Sequence, residues 1–285
     1  MNTFFLDRLN SEPHALAFAG QSTPWPVALA DQSANPALDE ALHTHAAAAQ
    51  ALLYPVSAEL LATTGRPVDL FGFEPNPARL GAAAAASASV PGIALTQLGA
   101  LLDAAALGYN PAQAKPVAVL GHSQGVLAVH MVQAICEAGS IDAAAAKIDE
   151  ILAIATLIGV AGTRQARQLG LAARHGEATP MLSVKDITRA QVDALIERVD
   201  GARGPIAVAV TNSATHYVLS GYPEDLAAFG VEVAKEHKRQ AKLREEKVRG
   251  GRVFDPTLEY LDVTLPFHSP LMADAVSQAV AWAEA

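Results

Sequence analysis

The stretch VAVLGHSQGVLAVHMV, residues 117–132, carries the most structural information in this sequence. Its first four residues are compact and apolar, which predicts a strand. The residues after Gly125 predict a helix that ends near Gly139. Between them, GHSQG has the G-x-S-x-G pattern of a nucleophile elbow, a sharp strand-to-helix turn that exposes a serine hydroxyl. We therefore predict that Ser123 is a nucleophile.

Other apolar patterns place this elbow in a larger α/β part. HALAFAG at residues 14–20 predicts a short buried strand before a glycine turn. A helical stretch over residues 38–64 should break at Pro55, because proline cannot continue a helix. Two further helices are predicted, one from Pro91 to Leu107 and one over residues 143–160.

The pattern changes after Pro180. Four strands and two helices are predicted in the order βαββαβ, which is the ferredoxin-like order. The predicted strands are Met181–Val184, Ile206–Val210, Tyr217–Ser220 and Leu261–Leu265, and the predicted helices are Thr188–Val199 and Pro223–His237. We therefore predict an α/β fold with a large parallel-sheet subdomain at residues 1–178. A ferredoxin-like insertion follows at residues 179–265, and residues 266–285 return to the large subdomain.

Composition narrows the possible functions. The 285 residues are 51% hydrophobic and 17% charged, which excludes a disordered, highly charged chain. The net charge of −9 offers no global basic surface, so no nucleic-acid partner is predicted. The longest apolar stretch, Ile151–Ala161, is about half of the roughly 20 residues that a membrane span needs. The start lacks the basic region of a secretory signal, and Cys136 is the single cysteine. We expect a cytoplasmic protein without membrane contact.

A serine nucleophile needs a base and an oxyanion hole. Among nine histidines, His268 in LPFHSP stands out, because it follows the last predicted strand where the chain returns to the large subdomain. A polar residue in a proline-bounded turn is the alternative. The predicted oxyanion donors are the backbone N–H groups of Gln124, which follows the serine, and Gln21, in the glycine turn after the first strand. No metal site is predicted, since the sequence contains no C-x-x-C motif.

Several segments together resemble one family. AFAGQS, VPGIALTQ, GHSQGVLAV, LIGVAGT, PMLSV, VTNSATHYVLSG, KVRGG and PFHSP occur in the order typical of that family. The chain resembles the N-terminal acyltransferase (acetyltransferase) domain of a type I fatty acid synthase of the actinobacterial and fungal type. That domain belongs to the malonyl/acyl-CoA:acyl carrier protein transacylase superfamily.

The resemblance implies an α/β-hydrolase-like large subdomain and a ping-pong reaction. Ser123 and His268 match a catalytic dyad, and the amides of Gln21 and Gln124 match the oxyanion hole. Asn212 matches a cleft asparagine, and a capping or turn role is the alternative for it. An acetyl group passes from acetyl-CoA to the serine, and then to the phosphopantetheine thiol of an acyl carrier protein. No tightly bound cofactor is implied. The implied partners are the carrier protein and the other domains of a larger homo-oligomeric synthase.

The choice of acyl group can be argued at one position. Members that load malonyl carry an arginine, which pairs with the malonyl carboxylate. We align this position with Ile158, expect the side chain to be buried, and therefore expect acetyl transfer. Arg164 is the alternative if the alignment is shifted. His122 is expected to shape the elbow and, with Ile158 and Asn212, to line the acyl pocket.

Other functions remain open on the sequence. The chain could be a malonyl or palmitoyl transferase of the same superfamily. It could be an α/β-hydrolase-type thioesterase that uses Asp255 or Asp262 as its acid. Because the sequence ends shortly after His268, it could also be a non-catalytic fragment of a longer synthase. The charged run at residues 235–252 is expected to be a solvated helix and linker, and the alternative is a contact with CoA phosphates or an acidic carrier protein.

Overall fold

A computed structural model describes residues 8–21, 24–65, 67–70, 81–171, 178–245 and 254–285, without the side chains of residues 81–85 and 244–245. The chain divides into two compact units. The first comprises Met1–Leu80, Ala84–Thr163 and Gln278–Ala285, and the second comprises Gly81–Ala83 and Arg164–Ser277. The subdomain limits at residues 178/179 and 265/266 stay predictions. KVRGG and most of the linker in the charged run lie outside the described residues.

The first unit holds most of the helices and two strands. In chain order its elements are β1 (Ala15–Phe18), α1 (Trp25–Ser33), α2 (Pro36–Leu52), α3 (Ser57–Thr64), α4 (Gly81–Ala106), α5 (Pro111–Ala114), β2 (Ala118–Gly121), α6 (Val126–Ala138) and α7 (Ala145–Gln168). Strands β1 and β2 pair in parallel, from Ala15 opposite Ala118 to Phe18 opposite Gly121. A mixed α/β architecture is thus present, as the sequence predicts. The expectation that the first strand is buried is wrong, because Ala15 and Ala17 on β1 are exposed.

The predicted break at Pro55 is confirmed. The side chain of Asn35 accepts a hydrogen bond from the backbone of Ala37 and so caps the start of α2. A short 3₁₀ turn, Tyr54–Val56, separates α2 from α3 because Pro55 has no N–H to continue the helix. Gly65 then ends α3 in the left-handed conformation, with φ +75°.

Helix α4 begins earlier than predicted. It runs through Pro91 rather than starting there, so the predicted start of this helix is wrong. The alanine-rich residues 82–89 belong to this helix. Thr163 on α7 accepts a hydrogen bond from the backbone N–H of Ser87 at 3.1 Å. A Cβ on Gly159 would lie only 2.6 Å from the carbonyl oxygen of Ala86, so α4 and α7 pack with backbone against backbone here.

One segment of α4 is long and apolar enough to cross a membrane by length and composition. It spans Ala86–Ala106 with a mean hydropathy of 1.2, and 67% of it is buried inside the structure. Such burial is typical of the core helix of a globular domain. The expectation that Ile151–Ala161 is the longest apolar stretch is therefore wrong, because Asp103 is the first charge after Ala86.

The second unit is built on a four-stranded antiparallel sheet. Its elements are β3 (Met181–Lys185), α8 (Arg189–Ile196), β4 (Ala207–Ser213), β5 (His216–Ser220), α9 (Pro223–Glu245) and β6 (Thr257–Tyr260). A 3₁₀ turn (Pro270–Met272) and α10 (Ala273–Ala283) follow, and α10 belongs to this unit as far as Ser277. The strands lie in the order β4-β5-β3-β6. Thr188 caps α8 through a capping box with Gln191.

The range predicted for the last strand, Leu261–Leu265, is wrong, because the structure has this strand at Thr257–Tyr260. Strand β6 ends at Tyr260, although the N–H of Leu261 still donates to the carbonyl of Met181 at 3.0 Å. The N–H of Val263 then bonds back to Leu261 at 2.8 Å, which turns the chain. Val263 and Leu265 lie in this turn and are buried. Their alternation with less apolar residues resembles the pattern of a strand, which explains the wrong prediction.

Candidate active site

Ser123 lies at the turn between β2 and α6. It begins a short 3₁₀ segment, Ser123–Gly125, that leads directly into the helix. Its φ of +52° is in the left-handed region that residues with a side chain rarely adopt. Such strained backbone is typical of functional turns, and a nucleophile elbow requires it. The structure therefore has the backbone geometry that GHSQG predicts.

Two glycines allow this turn to form. A Cβ on Gly121 would lie 2.5 Å from the carbonyl carbon of Gly125, and a Cβ on Gly125 would collide with the backbone oxygen of Phe18. The elbow therefore presses against β1 with no room for a side chain. The N–H of His122 donates to the same Phe18 oxygen at 2.9 Å, which holds the elbow on that strand.

The loop after β1 touches the elbow directly. A Cβ on Gly20 would lie 2.7 Å from the carbonyl oxygen of His122 and 3.3 Å from the backbone nitrogen of Gln124. The two loops that carry Gln21 and Gln124 are thus in backbone contact. The first N–H groups of a helix have no partner within it, and they lie at its positive dipole end. The backbone N–H of Gln124, at this end of the helix, therefore lies where a negative charge is favoured.

The side chains of both glutamines are also joined. Gln21 Nε2 donates to Gln124 Oε1 at 2.5 Å. Gln124 Nε2 in turn donates to the carbonyl oxygen of Val90 at 2.5 Å. The sequence predicts only their backbone amides as functional groups. The bridge between their side chains follows from the contact of the two loops.

Comparisons with known proteins show which proteins this chain resembles. Residues 180–260 match the family described as the fatty acid synthase central AT domain. The fatty acid synthase subunit beta of Schizosaccharomyces pombe is 27% identical over 209 residues, which are 66% of this chain and 10% of that protein. Fatty acid synthase 2 of Mycosarcoma maydis is 30% identical over 175 residues, which are 58% of this chain and 5% of that protein. The resemblance to a fatty acid synthase acyltransferase domain is confirmed.

Solved structures support the mixed α/β fold of this chain. The malonyl CoA-acyl carrier protein transacylase of Coxiella burnetii has a TM-score of 0.57 at 19% identity, over 95% of this chain and 68% of that one. The corresponding enzyme of Clostridium perfringens has a TM-score of 0.55 at 18% identity, over 96% and 68%. At these identities the likeness concerns the fold alone. The matched part of the chain spans 10% or less of the synthase relatives named above.

The structure also shows where the other residues predicted for the site lie. His122 is exposed next to the nucleophile. Ile158 on α7 is 37% exposed, so the expectation that it is buried is wrong. Most side chains of α7 are buried, and Ile158 lies on the side of this helix that is partly exposed. Its place in an acyl pocket stays a prediction.

His268 and Asn212 belong to the second unit. His268 lies in an exposed turn with φ +57°, directly before Ser269, whose hydroxyl donates to the carbonyl of Pro266 at 2.6 Å. Asn212 lies on β4, and its side-chain nitrogen is 3.4 Å from Nε2 of His216. The pairing of Ser123 with His268 stays a prediction.

Sequence reasoning misses a supporting glutamine. Gln97 on α4 donates through Nε2 to the carbonyl of Ala19 at 2.7 Å and so holds the loop after β1. It is 8% exposed, and its Oε1 has no partner among the described protein atoms. A glutamine between the apolar stretches VPGIAL and LGALL is the signal that could have identified it. Among the described residues, no group of three or more His, Cys, Asp or Glu side chains could hold a metal ion.

Proposed function

We propose that this chain is an acyltransferase that loads an acetyl group from acetyl-CoA onto the phosphopantetheine thiol of an acyl carrier protein. The observation that carries the proposal is the elbow, where Ser123 has φ +52° at the start of a helix and backbone contacts leave no space for side chains. The synthase relatives support the choice of acyl transfer within fatty acid biosynthesis. No tightly bound cofactor is needed for this reaction.

The proposed mechanism has two steps with a covalent intermediate. His268 accepts the proton of Ser123 Oγ as the oxygen bonds to the thioester carbon, and the backbone amides of Gln21 and Gln124 stabilise the oxyanion. The C–S bond then breaks, and the departing CoA thiolate takes the proton from the imidazolium. In the second step the pantetheine thiol gives its proton to His268 and attacks the acyl-serine. The serine oxygen leaves and recovers its proton.

Acetyl is the proposed acyl group because Ile158 offers no partner to a free carboxylate. The aliphatic side chain of Ile158 gives the free carboxylate of a malonyl group no charge-assisted hydrogen bond, so malonyl gains no advantage over acetyl at this position. We expect Ile158→Arg to shift the preference from acetyl-CoA toward malonyl-CoA by about tenfold or more, because a bidentate arginine–carboxylate pair is strong. The partial exposure of this position leaves room for the longer side chain. Competition between the two acyl-CoAs, read by mass spectrometry, measures the shift, and an unchanged ratio would contradict the alignment.

The proposal is tested by intact-protein mass spectrometry after brief mixing with acetyl-CoA, malonyl-CoA or palmitoyl-CoA. We expect an acetyl adduct on a peptide that contains Ser123, its removal by pantetheine, and no adduct in Ser123→Ala. A preferred malonyl or palmitoyl adduct would change the acyl assignment. Hydrolysis without a thiol acceptor would instead indicate a thioesterase. A folded protein that forms no adduct would refute the catalytic proposal.

We further infer that the chain works beside other domains of a larger, homo-oligomeric synthase. The relatives that it matches are fatty acid synthase proteins of which it covers a small share. A carrier protein tethered within one assembly raises the effective concentration of its thiol at the acyl-serine. Copurification of this chain with a carrier protein and with itself tests the inference.

A further inference from the structure

A chain of side-chain hydrogen bonds connects three segments of the first unit. It runs from Ser89, whose hydroxyl donates to Gln21 Oε1 at 3.3 Å, through the Gln21–Gln124 bridge to the carbonyl of Val90. Ser89 and Val90 lie on α4, Gln21 follows β1, and Gln124 follows Ser123. Both ends of the chain are therefore anchored on neighbouring residues of one buried helix.

The bridge uses the particular chemistry of the amide group. A glutamine side chain carries both a carbonyl acceptor and an NH₂ donor, so it can receive one hydrogen bond and pass on another. Gln124 does this, since its Oε1 accepts from Gln21 while its Nε2 donates to Val90. Both glutamines are half-buried, where such bonds are stronger than in water. A hydrophobic side chain of equal length could make neither bond.

The bridge joins the two peptide segments whose separation matters for an oxyanion hole. The N–H donors must lie about 2.7–3.1 Å from the developing oxyanion, so a small displacement of either loop weakens both bonds. Gly20 already brings the loops into backbone contact near the nitrogen of Gln124. Backbone contact prevents the loops from moving closer, and the side-chain bridge prevents them from moving apart.

We propose that the side chains of Gln21 and Gln124 are positioning residues that hold the backbone N–H groups of the same two residues in oxyanion-hole geometry. This inference rests on the proposed function, because it concerns the rate of acyl-enzyme formation. Each side chain acts on catalysis through its own backbone amide, which a substitution of the side chain leaves in place.

The test compares Gln21→Met, Gln124→Met and the double variant with the unsubstituted chain. Methionine has nearly the length of glutamine and lacks the amide. Rapid-quench mass spectrometry gives the acylation rate of Ser123 at saturating acetyl-CoA and the acetyl-CoA concentration for half-maximal rate. Gln133→Met is the matched control, because Gln133 lies on α6 and makes an exposed hydrogen bond to Glu137. Thermal unfolding of each variant gives the folded fraction.

We expect each single variant to be acylated about tenfold more slowly, which is the loss associated with one strong hydrogen bond. The acetyl-CoA concentration for half-maximal rate should stay unchanged. The double variant should be no slower than about tenfold, because either substitution alone breaks the bridge. The control should keep its rate. A merely structural role would lower the folded fraction without changing the rate of the folded protein, and that outcome overturns the inference. Independent losses that multiply to about a hundredfold also overturn it.

Reaction with a fluorophosphonate, which phosphonylates activated serines, separates failure of this inference from failure of the proposed function. The serine oxygen bonds to phosphorus, fluoride leaves, and the negative oxygen of the transition state occupies the same hole. Slower labelling in the methionine variants supports the bridge even if acetyl-CoA proves to be the wrong donor. Equal labelling of all variants overturns the bridge alone. An unsubstituted chain that reacts with neither reagent overturns both proposals.

Discussion

The elbow can form only because Gly125 has no side chain. Its φ of −56° suits any residue, so only space excludes a larger one. The position of a Cβ coincides with the backbone of Phe18 on β1, which cannot rotate away. We expect Gly125→Ala to lower the free energy of unfolding by about 2 kcal/mol and to abolish acylation of Ser123. Urea denaturation and mass spectrometry measure the two effects.

Gly230→Ala is the control for that substitution. Gly230 lies within α9, and a Cβ there would make an ordinary contact with Leu258 at 3.6 Å. Alanine should therefore raise the stability by about 1 kcal/mol through its helix propensity. Equal effects of the two glycine substitutions would contradict the argument from close packing.

At the scale of single residues, the sequence predicts the backbone geometry of the elbow better than it predicts the burial of single side chains. GHSQG predicts the position of Ser123 and the need for its glycines, since the motif encodes a local backbone geometry. The exposure of Ile158 depends on which neighbours cover one side of α7, and no local pattern contains that information. The Gln21–Gln124 bridge likewise joins residues that are distant in the sequence, so it becomes visible only in the folded chain.

Among the structural elements, α9 carries a charge cluster that makes the second unit sensitive to acid. Glu236 accepts hydrogen bonds from Arg239, Gln240 and Arg198, the last of which follows α8. The bonds from Arg239 are the main reason why the pKa of Glu236 is lowered to about 2, while burial opposes the shift. The carboxylate therefore stabilises the folded state above its unfolded pKa of about 4.5.

Acidification should therefore weaken the second unit over a defined range. As the pH falls from about 4.5 to about 2, the contribution of Glu236, up to about 3 kcal/mol, should be lost. We expect Glu236→Gln to be less stable at neutral pH and to lose less stability over this range. Chemical denaturation at a series of pH values measures both slopes.

Glu259→Gln is the matched control for this pH dependence. Glu259 pairs with Lys185 at 3.4 Å, and its side chain is 63% exposed, so water screens the pair. Its removal should leave the slope of the unsubstituted chain. A parallel loss of slope in both variants would indicate that the net charge, rather than the α9 cluster, controls acid stability.

At the scale of elements, periodicity predicts which elements exist and misplaces some of their ends. Pro91 is read as a helix start because proline is common there, yet buried packing against α7 sustains α4 through it. The last strand ends at Tyr260, before the predicted range Leu261–Leu265 begins. The prediction is wrong because Val263 and Leu265 lie in a tight turn and are buried there, which gives the apolar alternation of a strand. Tertiary burial, which the local sequence does not specify, decides both cases.

Across the whole molecule, strand β2 forms an apolar sheet edge that is open among the described residues. Strand β2 pairs with β1 alone among the described residues. Leu120 on this strand is 59% exposed and Val117 just before it is 71% exposed. Edge strands of stable proteins usually carry charges that prevent pairing with other chains, and this edge has none. The isolated chain should therefore self-associate as its concentration rises.

We expect Leu120→Lys to reduce that self-association, because a charge on an edge strand opposes pairing between copies. The change should cost little stability, since the replaced side chain is mainly in solvent. Light scattering after size-exclusion chromatography over a tenfold concentration range gives the mass of each species. Val231→Lys is the control, because Val231 is 54% exposed on α9, a helix without an open sheet edge. If both variants reduce the mass equally, added charge is the cause, and if neither does, the β2 edge does not mediate association.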